Sequence, residues 1–225
     1  MEKKESSKTQ ESKFKLPFAS AGFSFLSGKV LSVLQFLLGL CLLPFVYGTS
    51  RAFFQEFGAV EQPFRGFFWA GTVTFLAIHL FIWEPKEVYD IGHGLLESVF
   101  NYFKHLVKVA PYLLPVYTII IFIIYGVFSF FIKSQWLLDY CVYFSGFSTL
   151  LHLTFSAKTV ASNKDDFLRG NYIFSFSFIF VINLLILSLC LGMAFKEFSF
   201  ISFAVNAYSY SSGIFAAIFR QLFVV

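Results

Sequence analysis

Charged residues are scarce in this chain of 225 residues, at 13% of the total against about a quarter in a typical soluble domain. Cysteine is scarce as well. The chain has three, Cys41, Cys141 and Cys190, and all fall in apolar stretches without C-x-x-C spacing. This pattern argues against a disulfide framework and against a cysteine zinc site. The sequence also has no internal repeat, no Gly-rich phosphate loop and no G-x-S-x-G motif of the kind that indicates a hydrolase.

Hydrophobic residues make up 57% of the chain and aromatic residues 22%, with 35 phenylalanines. A helix needs about 20 residues to cross a hydrocarbon core of about 30 Å, and several apolar runs reach that length. The sequence therefore predicts an all-α integral membrane protein with about six transmembrane helices. The predicted spans lie near residues 30–49, 67–83, 111–132, 136–156, 172–195 and 200–223. The second span is short and "NAYSYSSG" interrupts the sixth, so the predicted range is five to seven.

One polytopic membrane domain is expected over residues 29–225, after a disordered or interfacial tail over residues 1–28. The tail begins with a polar stretch and continues with an aromatic stretch that Pro, Gly and Ser break up. Between the first two spans, the segment 50–66 is predicted to lie at the outer interface. Its Phe53, Phe54 and Phe57 would then face lipid.

The distribution of Lys and Arg predicts the orientation of the chain in the membrane. Thirteen of the seventeen are cytoplasmic if the N-terminus is inside: Lys3, Lys4, Lys8, Lys13, Lys15, Lys29, Lys86, Lys104, Lys108, Lys158, Lys164, Arg169 and Arg220. Four are outside: Arg51, Arg65, Lys133 and Lys196. The positive-inside rule thus predicts that both termini are cytoplasmic. The net charge of +4 is explained by these loops and the tail, so no nucleic-acid partner is expected.

Residues 86–109 form the most polar internal segment and are predicted to be an amphipathic helix on the cytoplasmic side. At helical spacing one arc collects the polar side chains of Glu87, Asp90, His93, Glu97, Asn101, Lys104, His105 and Lys108. The simplest interpretation is a helix in the headgroup layer with its charged side in water. If this helix binds a partner protein, the face expected to contact the partner consists of Glu87, Asp90, Asn101, Lys104, His105 and Lys108.

A second interpretation of this helix is a metal site. His93 and Glu97 stand one helical turn apart, and an imidazole nitrogen and a carboxylate oxygen both suit zinc. A third ligand would come from Asp165 or Asp166, on the same predicted side. His79 and His152 lie near the cytoplasmic ends of their spans, although a buried histidine in a span more often bonds to a neighbouring helix.

Three runs of the sequence together resemble a bacterial group of site-2-type membrane zinc metalloproteases. They are "WEPKEVYDIGHGLLESVF", "APYLLPVYT" and "GFSTLLHLTFSAKTVASNKDDFLRGNYIFSFSFIFVINLLI", and they cover roughly residues 82–190. In that group an H-E-x-x-H motif opens the active-site helix, a proline-rich phrase begins the next span, and a loop Asp and an intramembrane Asn follow. The order of the phrases makes the resemblance more specific than any one of them.

The resemblance places His93 at the first zinc histidine, Gly94 at the catalytic glutamate and Glu97 at the second histidine. Asp165 or Asp166 falls at the loop Asp. Among the remaining polar positions, His79, His152 and Asn183, the last corresponds to the intramembrane Asn. The motif has become H-G-L-L-E. A metalloprotease needs a general base to take a proton from zinc-bound water, and glycine has no group that can do so.

We therefore expect a pseudoprotease that acts as scaffold, assembly factor or subunit of a membrane complex. The resemblance implies that this membrane is the bacterial inner membrane. No catalytic residue is assigned and no cofactor is expected, zinc being the alternative. The expected partners are the lipid bilayer and another membrane protein or a second copy of the chain. Two other functions stay open: an unconventional intramembrane zinc metalloprotease, and a small transporter or channel, the latter suggested by Gln35, His79, Asn183 and Asn206.

Overall fold

The computed structural model of the chain describes residues 20–101, 110–132, 134–162 and 172–223. Within these residues the fold is all-helical, with eight α-helices. They are α1 (Ser20–Ala59), α2 (Gln62–Ala77), α3 (Lys86–Phe100), α4 (Ala110–Leu113), α5 (Val116–Phe131), α6 (Gln135–Ser162), α7 (Tyr172–Ala194) and α8 (Phe200–Phe223). A π-helical turn, Ile78–Ile82, continues α2.

Three helical segments are long and apolar enough to cross a membrane: Val33–Ala59, Gln62–Ile82 and Tyr172–Ala194. Large side chains at the bundle surface are also apolar, as at Phe81, Phe130 and Met193, each more than four-fifths exposed. Both features are those of an integral membrane protein. The all-helical fold is thus confirmed and three helices could span a membrane, while the count of about six spans stays a prediction, because α5 is shorter and α6 and α8 do not reach the same apolarity.

Helix boundaries differ from the predicted spans wherever a distant residue decides them. The prediction for α7 is accurate to one residue, because its apolar run is continuous. The predicted interruption of the sixth span is wrong, since α8 runs unbroken through residues 206–213. The predicted third span is divided, because α4 ends at Leu113 and α5 begins only after Pro115, which has no N–H for the helical hydrogen-bond ladder.

The first helix is much longer than the span predicted over residues 30–49. It begins at Ser20, inside the expected tail, and continues to Ala59, so only Val60 and Glu61 separate it from α2. The prediction of an outer interfacial segment over residues 50–66 is therefore wrong.

Helix α8 supplies partners for the polar residues of this part of α1. Asn206 Nδ2 donates to Glu56 Oε1 (3.3 Å), and Tyr210 OH donates to Gln55 Oε1 (2.6 Å). The Arg51 guanidinium lies 4.4 Å from the Tyr210 ring centre.

The phenylalanines of this region also correct an expectation. Phe53 and Phe57 are buried at 3% and 2% exposure, and of the three phenylalanines expected to face lipid only Phe54 is exposed. Their rings pack on Phe68 of α2, with Phe57 at 5.0 Å between centroids, and Phe53 also contacts Phe198. They belong to the main hydrophobic core, which joins α1, α2, α6, α7 and α8.

Contacts between side chains show the relative directions of the helices. Helix α8 is antiparallel to α1, as the contacts Glu56 with Asn206 and Phe45 with Phe215 show. Helix α2 is parallel to α6, because Phe75 contacts Phe147 and, further along both helices, His79 contacts Phe155. Helix α3, the end of α2, α4 with the start of α5, and the end of α6 therefore meet at one end of the bundle, which we call the histidine end.

Glycine allows two of these helix pairs to approach closely. A Cβ at Gly71 of α2 would overlap the carbonyl oxygen of Tyr143, and a Cβ at Gly146 of α6 would overlap that of Phe68. A Cβ at Gly48 of α1 would meet the Ser211 side chain of α8. Small residues that bring helix backbones together are typical of membrane bundles, where packing rather than the hydrophobic effect joins the helices.

Candidate functional site

Helix α3 at the histidine end presents three different faces. Tyr89, Gly92 and Leu96 are buried against the bundle. Ile91, Leu95 and Val99 are exposed along a second stripe, and the polar residues Glu87, Asp90, Glu97 and Asn101 are exposed along a third. A helix that is packed on one side, apolar on the next and charged on the third suits the boundary between bundle, lipid and water.

Gly92 explains how α3 approaches the bundle so closely. A Cβ at this position would lie 2.7 Å from Tyr117 Cε2 and 2.8 Å from Val116 Cγ1 of α5. The hydroxyl of Tyr117 donates a hydrogen bond to the carbonyl of Val88 on α3. The glycine and this hydrogen bond fix α3 against the beginning of α5.

His93 and Glu97 do lie on one face of α3, as their spacing requires. His93 Nε2 is 3.4 Å from Glu97 Oε1, and the His93 side chain is 17% exposed while that of Glu97 is 53% exposed. The His93 ring packs against Tyr112 of α4 at 4.7 Å between centroids, and against Tyr89 at 5.8 Å. The imidazole is thus held between an exposed carboxylate and two aromatic rings.

His152 of α6 is buried at 4% exposure and binds the backbone of α4. Its Nε2 is 3.1 Å from the carbonyl oxygen of Tyr112 and 3.3 Å from Ser156 Oγ. Because a carbonyl oxygen only accepts, Nε2 must carry the hydrogen and donate it. A protonated Nε2 has no lone pair for a metal, so this nitrogen of His152 serves in this geometry as a structural hydrogen-bond donor.

Tyr89 connects the two histidines. Its ring lies 5.8 Å from that of His93 and 5.9 Å from that of His152, and its hydroxyl is 3.2 Å from Ser156 Oγ. Burial raises the pKa of this phenol above its ordinary value of 10.0, so the ring is neutral at any ordinary pH. Tyr89, His152, Ser156 and the Tyr112 carbonyl form one buried hydrogen-bonded network.

Asn183 of α7 binds the next carbonyl of α4. Its Nδ2 donates to the carbonyl of Leu113 at 3.2 Å and to that of Ile179 at 2.8 Å. The residue is fully buried, and within the described part of the chain its Oδ1 has no hydrogen-bond partner. Side chains of α6 and α7 thus bond the carbonyls of Tyr112 and Leu113 just before the break at Pro115, as polar backbone at membrane depth requires.

His79 belongs to a second polar cluster at the same end. Its Nε2 is 3.3 Å from Lys158 Nζ, and Lys158 Nζ donates to Glu84 Oε1 at 2.7 Å. The ring of His79 stacks on Phe75 and contacts Phe155, which in turn contacts Tyr89. Lys158 holds the pKa of the Glu84 carboxyl below its ordinary value of 4.5 by donating this hydrogen bond.

Gly94, which the resemblance placed at the catalytic glutamate, faces open space. A Cβ there would have no heavy atom within 4 Å, and the residue is exposed. Position 94 itself therefore supplies no general base, and the carboxylate beside His93 is that of Glu97. Packing does not require glycine at this position, in contrast to Gly92.

The described residues do not fit a zinc site. Across residues 20–101, 110–132, 134–162 and 172–223, no three His, Cys, Asp or Glu side chains are grouped so that they could hold a metal ion. His93 and Glu97 supply two donors, and His152 is bonded to a carbonyl. The remaining candidates Asp165 and Asp166, and Lys104, His105 and Lys108 of the expected partner face, lie outside the described residues.

Several members of these clusters were not predicted from the sequence. Tyr89, Tyr112 and Ser156 were not singled out, and neither was the pair Glu84 and Lys158. The signal was present in "APYLLP", because Pro115 withdraws an N–H from the helix and its neighbouring carbonyls then need side-chain donors. The partners themselves come from α6 and α7, about 40 and 70 residues further along the chain.

No family model, curated protein or solved structure matches this chain. The likeness to membrane metalloproteases therefore depends on the motifs of the sequence alone.

Proposed function

We propose that this chain is a pseudoprotease: a non-catalytic membrane protein that resembles a zinc metalloprotease and serves a membrane complex as scaffold, assembly factor or subunit. The observation that supports this most is the surroundings of Gly94. The position of the general base has no side chain and faces open space, while the neighbouring His93 packs on Tyr112 and contacts Glu97.

The chemistry of the remaining donors also favours a non-catalytic role. The Glu97 carboxylate lies 3.4 Å from His93 Nε2, and one carboxylate cannot be both a zinc ligand and the base that deprotonates zinc-bound water. The Nε2 atom of His152 donates to a carbonyl, so it is not available to replace the lost second histidine. A reaction that depends on metal-activated water has no described set of groups to perform it.

The exposed faces of α3 suit a membrane-protein partner. The charged residues Glu87 and Asp90 border the apolar stripe of Ile91, Leu95 and Val99, and all five are exposed. Charged groups around an apolar patch give an interface its specificity more than its affinity. We further propose six spans, with both termini and α3 on the cytoplasmic side of a bacterial inner membrane.

Affinity purification in mild detergent followed by chemical crosslinking tests the proposed role. We expect a membrane protein, or a second copy of the chain, to crosslink to α3 and to be lost in a Glu87→Lys, Asp90→Lys double variant. A Glu61→Lys variant, at the opposite end of the bundle, is the matched control and should retain the partner. Monomeric protein without any co-purifying chain would argue against a scaffold.

A further inference from the structure

An apolar groove of about 290 Å³ lies where α1 and α7 face α2 and α6, and it contains no residue of the candidate site. Buried Phe53, Phe68 and Leu184 form part of its floor, and Phe54 and Trp69 stand at its rim with 55% and 44% exposure. We propose that this groove binds one acyl chain of a membrane lipid. We call it the lipid groove.

The depth of the lipid groove in the bundle favours a hydrocarbon ligand. All three segments that are long and apolar enough to cross a membrane contribute to its lining. On α7 the lining residues Phe180, Leu184 and Leu187 lie around the middle of Tyr172–Ala194. On α2, Phe68 and Thr72 lie near the middle of Gln62–Ile82. Lipid chains, and not water, border a rim at this depth.

The polar residues of the lining do not offer hydrogen bonds to a ligand. Ser50 Oγ donates to the carbonyl of Val46 at 2.6 Å, and Thr72 Oγ1 donates to that of Phe68 at 3.0 Å. Thr149 Oγ1 is 3.3 Å from the hydroxyl of Thr118. A buried water needs two to four polar partners, so these internally bonded hydroxyls favour a hydrocarbon chain over water, a headgroup or an ion.

The size of the lipid groove selects a single chain over a helix of a partner protein. A helix with its side chains is about 10–12 Å across, which exceeds what a cavity of 290 Å³ between four packed helices can admit. Apolar cavities of about 150 Å³ already bind small hydrocarbons. A flexible acyl chain fits the groove and continues directly into the surrounding bilayer.

Photolabelling in nanodiscs tests this site. The full chain is reconstituted in phosphatidylcholine that includes a fraction with a diazirine near the end of one acyl chain, and the labelled peptides are identified by mass spectrometry. We expect label on Trp69 and Leu150 in excess of that on Val73, which is 60% exposed but outside the groove. Leu150→Trp should fill the groove and reduce this label about tenfold, because several methylene contacts are lost.

Val73→Trp is the matched control and should leave the groove label unchanged. If Leu150→Trp does not fold, Leu153→Phe fills the same groove with a smaller change and should also reduce the label. Equal labelling of the groove and Val73 would overturn the proposal, as would label that groove-filling variants leave unchanged. A co-purified protein crosslinked to Trp69 in place of lipid would also overturn it.

Discussion

Gly94 is the residue on which the proposed loss of catalysis depends, because the resemblance places a general base at this position. The space around it is open, so a larger side chain meets no steric obstacle. Gly92, two residues earlier, has the opposite surroundings, since the ring of Tyr117 lies 2.7 Å from its Cβ position. Of the two glycines of "IGHG", helix packing therefore requires only Gly92.

The first prediction concerns metal content. We expect substoichiometric zinc in the purified protein by inductively coupled plasma mass spectrometry, because the described residues supply only two donors. A Gly94→Glu, Glu97→His double variant should bind several-fold more zinc, since two imidazoles one helical turn apart form half of a common site.

Gly94→Gln is the control for the double variant and should bind no more zinc than the original chain. Tight zinc at about one per chain in the unmodified protein, lost in His93→Ala, would contradict the pseudoprotease and favour the unconventional enzyme.

The second prediction concerns Asn183, which connects α7 to the carbonyl of Leu113. Asn183→Leu keeps the branched arrangement of heavy atoms and removes both hydrogen bonds of the amide, so we expect a loss of about 1 kcal/mol or more in the free energy of unfolding. Ser188→Ala is the matched control on the same helix. Its Oγ is buried and has no partner among the described residues, so its removal should be neutral or stabilising. Unfolding in mixed detergent micelles measures both, and equal effects would contradict the role of the Asn183 hydrogen bond.

Among the helices, the pair α2 and α6 depends most directly on glycine. The third prediction is that Gly146→Ala lowers the free energy of unfolding by about 2 kcal/mol or more, because the added methyl overlaps the backbone of α2. Gly126→Ala on α5 is the control, since a Cβ there meets nothing within 4 Å. It should be neutral or stabilise by up to about 1 kcal/mol through helix propensity. Similar midpoints of thermal unfolding for the two variants would refute the close α2–α6 contact.

The fourth prediction concerns the link between α6 and the segment that precedes α3. Lys158 lowers the pKa of Glu84 below its ordinary value of 4.5. The pair therefore stabilises the protein fully above pH 4.5, and this contribution is lost as the pH falls through the lowered pKa. The thermal midpoints of the original chain and of Glu84→Gln should therefore converge in acid. The difference should be small, because both side chains are 50% exposed. A difference that grows in acid would exclude this ion pair as its source.

Sequence periodicity and apolar length predicted the elements that depend on local signals. Helix α7 is an uninterrupted apolar run, and its limits were predicted to one residue. The predicted first span ended at residue 49, ten residues before α1 ends, because Arg51, Gln55 and Glu56 are typical of a loop. Their partners Asn206 and Tyr210 lie about 150 residues away, and no local pattern reveals them.

In the whole molecule, the connections at the histidine end should all lie on one side of the membrane. The contact of Glu84 with Lys158 brings the end of α2 and the end of α6 together. The fifth prediction is that a cysteine introduced at Ser162 resists a membrane-impermeant maleimide added to intact cells, because positive charge favours the cytoplasm for this end. A cysteine at Glu61, in the turn between α1 and α2, is the control and should react. The reverse pattern would invert the topology.

The candidate site could be predicted from the sequence only as a region. The spacing of His93 and Glu97 placed them on one face of a helix, and they are 3.4 Å apart. The sequence did not indicate that His152 would be bonded to the carbonyl of Tyr112, because that contact depends on how α4 docks against α6. Local patterns name the residues of a site, whereas the packing of helices decides which atoms remain available.

The glycine contacts of α2 with α6 and of α1 with α8 have a mechanical consequence. Each pair is joined through its backbone, so each should move as a rigid body, while aromatic rings near the turn at Val60 and Glu61 join α1 to α2. One hydrophobic core runs through both pairs, so a force on either pair should be passed to the other through its phenylalanine rings.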